Sequence, residues 1–129
     1  CLIDFFVQLG SMFCMVPRST GQGHTSQLLH GVLDMCLLSI IDEEASYGYE
    51  MVKKLRNRGL DLASEGSIYP LLSRLQKQGI TEGYLVQSSE GPARKYYRMS
   101  DRGKEVLGQW LGEWSEFKNS VDAVLNGSA

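Results

Sequence analysis

The sequence predicts a mainly α-helical fold with a small β-hairpin, for three reasons. Three segments between residues 27 and 79 repeat apolar side chains every three or four residues, as helices with one buried face do. Two short segments then flank the turn-forming sequence SSEGP, which is typical of a hairpin. An apolar stripe with helical spacing follows. With 129 residues, 43% of them apolar, the chain suffices for one globular domain with a modest core.

The first two predicted helices carry few residues suited to chemistry, and we expect them to form scaffold. Residues 27–42 place apolar side chains at helical spacing, which predicts a well-buried helix. Residues 46–59 begin at Ser46, a residue type that caps helix N-termini, and end at Gly59. They therefore predict a second, shorter helix.

The third helix is predicted over residues 65–79. Its leucine and isoleucine side chains fall on one face, so the polar side chains and Pro70 point away from the core. Proline lacks a backbone N–H and is tolerated in the first turn of a helix. We therefore expect this helix to begin near Gly66 or Ser67.

The hairpin is predicted to have strands at residues 83–88 and 93–99. Because side chains alternate between the two faces of a strand, Tyr96 and Tyr97 must point in opposite directions. We expect one of the two rings in the core. A pair of exposed stacking platforms, which a single-stranded RNA binder would need, is thereby excluded.

Ser100 is predicted to cap a long last helix that runs to about residue 125. The apolar stripe of this helix extends beyond what one small domain can bury, and the same helix of a second copy is its simplest cover. We therefore expect a homodimer. The expected interface residues are Val106, Trp110, Trp114, Phe117, Val121 and Val124.

Three helices followed by a hairpin are the element order of a winged helix-turn-helix, whose third helix enters the DNA major groove. The predicted organisation is a winged helix-turn-helix DNA-binding domain at residues 26–99 and a C-terminal dimerisation helix at residues 100–129. Residues 1–25 contain a Gly-, Ser- and Thr-rich stretch after a VPR sequence. We expect them to be a leader or an expression-derived segment with a linker, or else an extra N-terminal helix.

Charge is distributed unevenly along the chain. The net charge is −2, yet residues 53–104 carry eleven basic and five acidic side chains, a local net charge of +6. A positive region confined to one part of a chain is expected of a protein that contacts nucleic acid. The three cysteines have no CxxC spacing and favour a reducing cytoplasm over a disulfide framework. No membrane span is predicted, because the apolar residues 1–16 are too few and too interrupted.

The sequence resembles the PadR family of bacterial transcriptional regulators over about residues 28–125. The resemblance rests on GSIYPLLSRLQKQG in the third helix together with GPARKYYRMSDRG at the wing and the last helix. It implies a homodimeric repressor that binds a two-fold symmetric operator in double-stranded DNA. The single C-terminal helix is similar to that of the short PadR-like subfamily, in several members of which facing tryptophans sandwich flat aromatic effectors. Trp114 falls at the matching place and is the implied effector-binding residue.

Candidate DNA contacts lie on the third helix and on the wing, the predicted hairpin. They are Ser64, Ser67, Tyr69, Pro70, Ser73, Arg74, Lys77, Arg94 and Lys95. Hydroxyl groups and free N–H groups at the helix N-terminus can donate hydrogen bonds to phosphate. The short side chains can form hydrogen bonds to bases through their hydroxyl groups or contact thymine methyls. Arg94 and Lys95 are expected to contact phosphate or the minor groove. Structural alternatives stay open: a half-buried ring for Tyr69, and an exposed charged strand for Arg94 and Lys95.

The predicted function is that of a sequence-specific double-stranded DNA-binding transcriptional regulator, a homodimeric repressor released by a small planar aromatic effector. Plain dimer packing is the alternative role of Trp114. The sequence has no Gly-rich phosphate loop and no GxSxG or HExxH motif, so we predict no enzyme, cofactor or metal site. Two other functions stay open: a winged-helix protein-association module, and a drug-binding sensor with little direct DNA readout.

Overall fold

The computed structural model describes residues 21–127, which form four helices and a three-stranded antiparallel sheet. In chain order the elements are α1 (Gly21–Glu43), β1 (Ser46–Tyr47), α2 (Gly48–Asn57), α3 (Glu65–Lys77), β2 (Thr81–Val86), β3 (Arg94–Met99) and α4 (Asp101–Asn126). The expected order of three helices, a hairpin and a long helix is confirmed. Most of the predicted leader, residues 1–25, lies outside the described residues.

The chain divides into two compact units between Val32 and Leu33, and the packing described below is that of the second unit. Helix α1 starts at Gly21 and not near residue 27. In the part of the chain that the structure describes, no helix is long and apolar enough to cross a membrane.

The core of the second unit is built from one face of each of the first three helices. Fully or almost fully buried side chains come from α1, α2 and α3; they are Leu33, Leu37, Leu38, Ile40, Ile41, Met51, Val52, Leu55, Ile68, Leu72 and Leu75. Each large aliphatic side chain contributes about 1.5–3 kcal/mol on burial. Helix α3 buries only positions spaced four and three residues apart, so its opposite face is left to solvent.

Ser46 is not the N-cap of the second helix, and that prediction was wrong. Ser46 and Tyr47 form β1, in which Ser46 pairs with Tyr97 and Tyr47 with Tyr96 of β3. The buried Ser46 hydroxyl donates to the carbonyl of Glu44 at 3.0 Å and accepts from Nζ of Lys54 at 3.1 Å. Pairing with β3 provides hydrogen-bond partners for the extended backbone of Ser46 and Tyr47, so α2 begins only at Gly48.

Helix α3 begins earlier than expected, and the placement of Pro70 in its first turn was wrong. Ser64 is the N-cap and forms a capping box with Ser67, in which each backbone N–H donates to the other hydroxyl, at 3.0 and 3.2 Å. Pro70 is therefore the sixth helical residue. It leaves the carbonyl of Gly66 without a helical donor, which is tolerated because Gly66 is exposed to water.

The hairpin is formed by β2 and β3, and β1 adds a third strand on the other side of β3. Strand β2 starts at Thr81, two residues before the expected position, and pairs there with Met99. As predicted, the two adjacent tyrosines point apart: Tyr97 is only 6% exposed, whereas Tyr96 lies on the outer face of the sheet.

Helix α4 is attached to the domain through its first two turns. Ser100 is its N-cap, as predicted, and accepts from the N–H of Gly103 at 2.9 Å. Gly103 and Leu107 are the buried residues of α4 among those described. A Cβ at position 103 would collide with the carbonyl oxygen of Ile80, so this close packing requires glycine.

We expect Gly103→Ala to destabilise the fold by about 1–3 kcal/mol, because the added methyl group must displace the backbone at Ile80. Gly108→Ala is the matched control on the same helix. A Cβ at position 108 meets nothing within 4 Å, so alanine there should raise stability by up to about 1 kcal/mol. Urea unfolding of both variants measures the difference, and equal stabilities would contradict the packing.

Candidate nucleic-acid interface

The exposed face of α3 carries most of the candidate DNA contacts. Residues 66, 70, 73 and 77 are spaced four, three and four residues apart and lie along one side of the helix, opposite its buried leucines. Five of the seven candidates on or before this helix are exposed: Tyr69, Pro70, Ser73, Arg74 and Lys77. The structure thus brings them together on one surface.

The other two candidates, Ser64 and Ser67, are half-buried and belong to the capping box. The Ser67 hydroxyl also lies 2.8 Å from the carbonyl oxygen of Ser64, to which it donates. Both hydroxyls are therefore used to begin α3. Their contribution to an interface is to fix where the N-terminus of the helix points.

Tyr69 has both of the surroundings that the sequence left open. Its ring covers the first residue of α2, where a Cβ on Gly48 would lie 2.6 Å from the ring, yet 46% of Tyr69 is exposed. Partial burial and, next, the Glu65 carboxylate raise the pKa of Tyr69 above its ordinary value. The phenol therefore stays protonated at neutral pH and can donate a hydrogen bond to an anion.

The two basic candidates of α3 have different neighbours. Arg74 forms an ion pair with Asp34 of α1, with Nη2 and Oδ2 3.5 Å apart. Lys77 forms no ion pair with any residue between 28 and 127. Arg74 can leave Asp34 at little cost, because exposed ion pairs contribute about 0–1 kcal/mol.

The wing candidates Arg94 and Lys95 lie on opposite faces of the sheet. Lys95 faces α3, and its Nζ donates to Oε1 of Gln76 at 2.9 Å. Arg94 faces outward, with its guanidinium carbon 4.7 Å from the centre of the Tyr47 ring. The alternation of side chains along β3 imposes this separation. Lys95 is therefore beside α3, whereas Arg94 lies on the other face of the wing.

The sequence did not predict a row of three tyrosines on the outer face of the sheet. The ring of Tyr96 lies between those of Tyr47 and Tyr84, with ring centres 5.3 and 6.0 Å apart. The guanidinium of Arg98 lies over Tyr84 at 4.9 Å, as that of Arg94 does over Tyr47. Tyr47 was assigned to a helix, which hid its pairing with Tyr96. Tyr84 could have been found from the register of the predicted hairpin, in which it lies opposite Tyr96.

Two further exposed residues of α2 were also missed. Tyr49 follows Gly48, the residue that the Tyr69 ring covers, and 52% of Tyr49 is exposed. Nζ of Lys53, one turn later, lies 5.5 Å from the centre of the Tyr49 ring. A hydroxyl and an ammonium group therefore extend the polar surface from α3 onto α2. Their spacing of four residues is the signal that could have found them.

The candidate dimer residues fall into two groups. Val106 and Trp110 are half-buried within the second unit. The remaining four are exposed: Trp114 at 39%, and Phe117, Val121 and Val124. Leu111 and Leu125, which the sequence analysis did not include, extend the same apolar surface. We call the exposed residues Leu111, Trp114, Phe117, Val121, Val124 and Leu125 the α4 strip.

The polar surface formed by α2, α3 and the wing has the chemistry needed to bind a polyanion. Hydroxyl, ammonium and guanidinium groups dominate the exposed sides of α2, α3 and the wing.

Between residues 28 and 127, no three His, Cys, Asp or Glu side chains lie close enough together to hold a metal ion.

Comparison with known proteins gives one family. Residues 37–109 match the model of the transcriptional regulator PadR-like family. Uncharacterized protein X of Lysinibacillus sphaericus is 35% identical over 104 residues, which are 79% of this chain and 95% of that protein. The transcriptional regulator YqjI of Escherichia coli is 34% identical over 86 residues, 65% of this chain and 38% of that protein.

Solved structures of the same kind share the fold. A PadR-like transcriptional regulator from Bacillus cereus is 47% identical with a TM-score of 0.70, and the match covers 77% of this chain and 96% of that one. A PadR family transcriptional regulator from Eggerthella lenta is 32% identical with a TM-score of 0.74, covering 81% and 90%. The predicted fold class, mainly α with a small β-hairpin in winged helix-turn-helix order, is confirmed.

Proposed function

Since this chain belongs to the transcriptional regulator PadR-like family, we propose that it is a homodimeric repressor that binds a two-fold symmetric operator. Membership of the family makes it a DNA-binding regulator of transcription and not an enzyme. We further propose that a small planar aromatic effector releases the repressor. Because its proposed target is chromosomal DNA, we propose that the protein acts in the cytoplasm.

The exposed face of α3 is the observation that carries this proposal. A helix of 13 residues is about 20 Å long and fits lengthwise into a major groove about 12 Å wide. The side chains on that face are short at its centre, at Pro70 and Ser73, so the backbone of α3 can approach the base edges closely. Basic side chains lie at its C-terminal end, where they meet phosphates.

Base reading in this interface rests on few groups. The Ser73 hydroxyl can bond to a base edge, and the Pro70 ring can contact a thymine methyl. No arginine projects from the middle of the exposed face, so bidentate recognition of guanine is not part of the proposal. The remaining specificity comes from the shape and deformability of the operator.

Phosphate contacts come from the sides of the same surface. Lys77, Lys95 and the neutral phenol of Tyr69 flank the centre of α3, and Ser64 and Ser67 hold its N-terminus in place. Arg74 adds a phosphate contact when it leaves Asp34. Arg94 adds another from the edge of the wing. These contacts position the domain on the duplex and carry no sequence information of their own.

The α4 strip supports the homodimer. It lies beyond the two turns of α4 that pack on the domain, on a helix of 26 residues that is about 39 Å long. Val106 and Trp110, at the domain end of the strip, continue it toward the core. Binding to successive major grooves requires that the two-fold axis of the paired α4 helices place the two copies of α3 about 34 Å apart, one turn of DNA.

Trp114 supports the effector site, because it is a large flat ring on the α4 strip and is 39% exposed. Two such rings near a two-fold axis can enclose a planar molecule. The effector must bind more tightly to a dimer whose α3 helices are wrongly spaced for DNA, since a molecule that binds both arrangements equally would release nothing.

The proposal predicts binding to double-stranded DNA that weakens steeply with salt, by about 10³–10⁵-fold between 50 and 200 mM for 6–10 phosphate contacts. The measurement is retention of DNA fragments from the source genome, followed by titration of the retained fragment at several salt concentrations. Absence of any retained fragment, or an affinity independent of salt, would favour a protein-association module.

Lys95→Ala and Arg94→Ala should each lower the salt slope by about 1 and weaken binding to all sequences alike, as loss of one phosphate contact does. Arg58→Ala is the matched control, because Arg58 is an exposed arginine that belongs neither to α3 nor to the wing and pairs with Glu43. A loss confined to one operator would contradict a phosphate role for either residue.

The α4 strip predicts a dimer at micromolar concentration, measured by sedimentation. Phe117→Glu should yield monomers, because it buries a charge without a partner in the apolar contact. Asn119→Glu is the control: it adds the same charge on the opposite side of α4 and should leave the dimer intact. A monomeric unmodified protein would contradict the proposed assembly.

Binding of planar aromatic compounds should quench tryptophan fluorescence through Trp114. Trp110→Phe, which removes the half-buried tryptophan, should preserve the quenching, and Trp114→Phe should abolish it. An unresponsive signal across a wide panel of compounds would leave Trp114 with plain dimer packing.

A further inference from the structure

The start of α4 is hydrogen-bonded to Gly79 and Ile80, which come directly after Gln78, the C-cap of α3. The backbone N–H of Ser100 donates to the carbonyl of Ile80 at 3.1 Å. The Ser100 hydroxyl lies 2.6 Å from the carbonyl oxygen of Gly79 and 2.9 Å from that of Ile80, and it shares its one proton between them. The same oxygen accepts from the N–H of Gly103 as the helix cap.

Gly79 and Ile80 are in turn hydrogen-bonded to the last turn of α3. The N–H of Ile80 donates to the carbonyl of Leu75, and that of Gly79 to the carbonyl of Gln76, both at 3.0 Å. Gly79 adopts a φ of 76°, in the left-handed region that ends helices in this way. Leu75 itself is fully buried. The two residues are therefore a rigid extension of α3.

Close packing prevents the two elements from sliding past each other. Gly103 contacts the Ile80 carbonyl so closely that no side chain fits between them, and Ile80 is 3% exposed. Leu107, one turn further along α4, is also buried. A change in the direction of α4 must therefore either break this junction or carry α3 with it. We call Gly79, Ile80, Ser100 and Gly103 the α3–α4 junction.

We propose that Ser100 and Gly103 are positioning residues for operator recognition, because they fasten the dimer helix to the C-terminal end of the recognition helix. The inference rests on the proposed function of a DNA-binding dimer and adds the part that sets its specificity for half-site spacing. Neither residue has to touch DNA. Through the junction, the pairing of two α4 helices determines the distance and angle between two α3 helices.

The geometry is sensitive enough for this role. A rotation of about 10° at the junction moves the far end of a helix about 20 Å long by about 3.5 Å, close to the rise of one base pair. An effector at Trp114 that changes the pairing of the α4 helices acts on α3 through the same contact. A loosened junction should therefore relax the preference for half-site spacing and weaken release by the effector.

Three substitutions at position 100 separate the junction from the helix cap. Ser100→Asp keeps a cap that accepts from the N–H of Gly103 but cannot donate to the carbonyls of Gly79 and Ile80. Ser100→Gly, a tolerated and uncharged N-cap, also removes the donor and is a second test if the aspartate variant fails to fold. Ser100→Thr retains both functions and should behave as the unmodified protein does.

The measurement is affinity for the operator and for two versions of it with one base pair added or removed between the half-sites, together with affinity for a single half-site. We expect the unmodified protein and Ser100→Thr to prefer the natural spacing by about tenfold or more, a usual strength for coupled sites. Ser100→Asp and Ser100→Gly should reduce that ratio to about threefold or less. Their affinity ratio between the single half-site and random DNA should be unchanged, because the face of α3 is intact.

Two results would overturn the inference. One is an unchanged spacing preference in folded Ser100→Asp or Ser100→Gly. The other is a loss of half-site recognition as large as the loss on the full operator, which is what a distorted α3 alone would give. A protein that binds no DNA in any variant would overturn the proposed function, and this inference with it.

Discussion

Helix α3 is buried on one side only, and its neighbours hold it in that orientation. Ile68, Leu72 and Leu75 are fully buried on the side of α3 that packs on α2 and β2, and this packing turns the face with Pro70 and Ser73 to solvent. A contact at each end then fixes the helix along its axis: the Ser64 capping box at its start and the hydrogen bonds of Gly79 and Ile80 at its end. Tyr69 over Gly48 and Lys95 on Gln76 add contacts from α2 and from the wing. A helix held at so many points loses little conformational freedom when its exposed face binds a partner, which preserves affinity.

Aromatic contacts on the outer face of the sheet add to the backbone pairing of β2 with β3. Each tyrosine pair in the row of Tyr47, Tyr96 and Tyr84 contributes about 0.5–1.5 kcal/mol beyond the area that it buries. The ion pair between Arg98 and Glu82 is more than half exposed on both sides and contributes about 0–1 kcal/mol. The row also ties β1, just before α2, to the wing. The wing is therefore packed onto the helix-turn-helix. Arg94 and Lys95 lie on opposite faces of the wing.

Periodicity in the sequence predicted the elements that are decided locally. It gave the buried face of α3, the division of Tyr96 and Tyr97 between two faces, and Ser100 as the cap of α4. It failed where a distant partner decides. Ser46 looks like a helix cap, but pairing with β3 makes it a strand. A local signal was misread as well: Ser64 and Ser67 form a capping box that starts the helix at Glu65, one or two residues before the predicted start, so Pro70 is its sixth residue and lies beyond its first turn. The neighbours of Arg74, Lys95 and Arg94 depend on tertiary packing, and no pattern along the chain encodes them.

In the proposed complex, two copies of α3, held by paired α4 helices, read one face of a duplex. This arrangement can be tested by methylation protection of the major-groove edges of the bases in a bound operator. We expect two protected patches in the major groove, related by a two-fold axis and centred about 10 base pairs apart. A single protected patch, or two patches without two-fold symmetry or with a different separation, would contradict it.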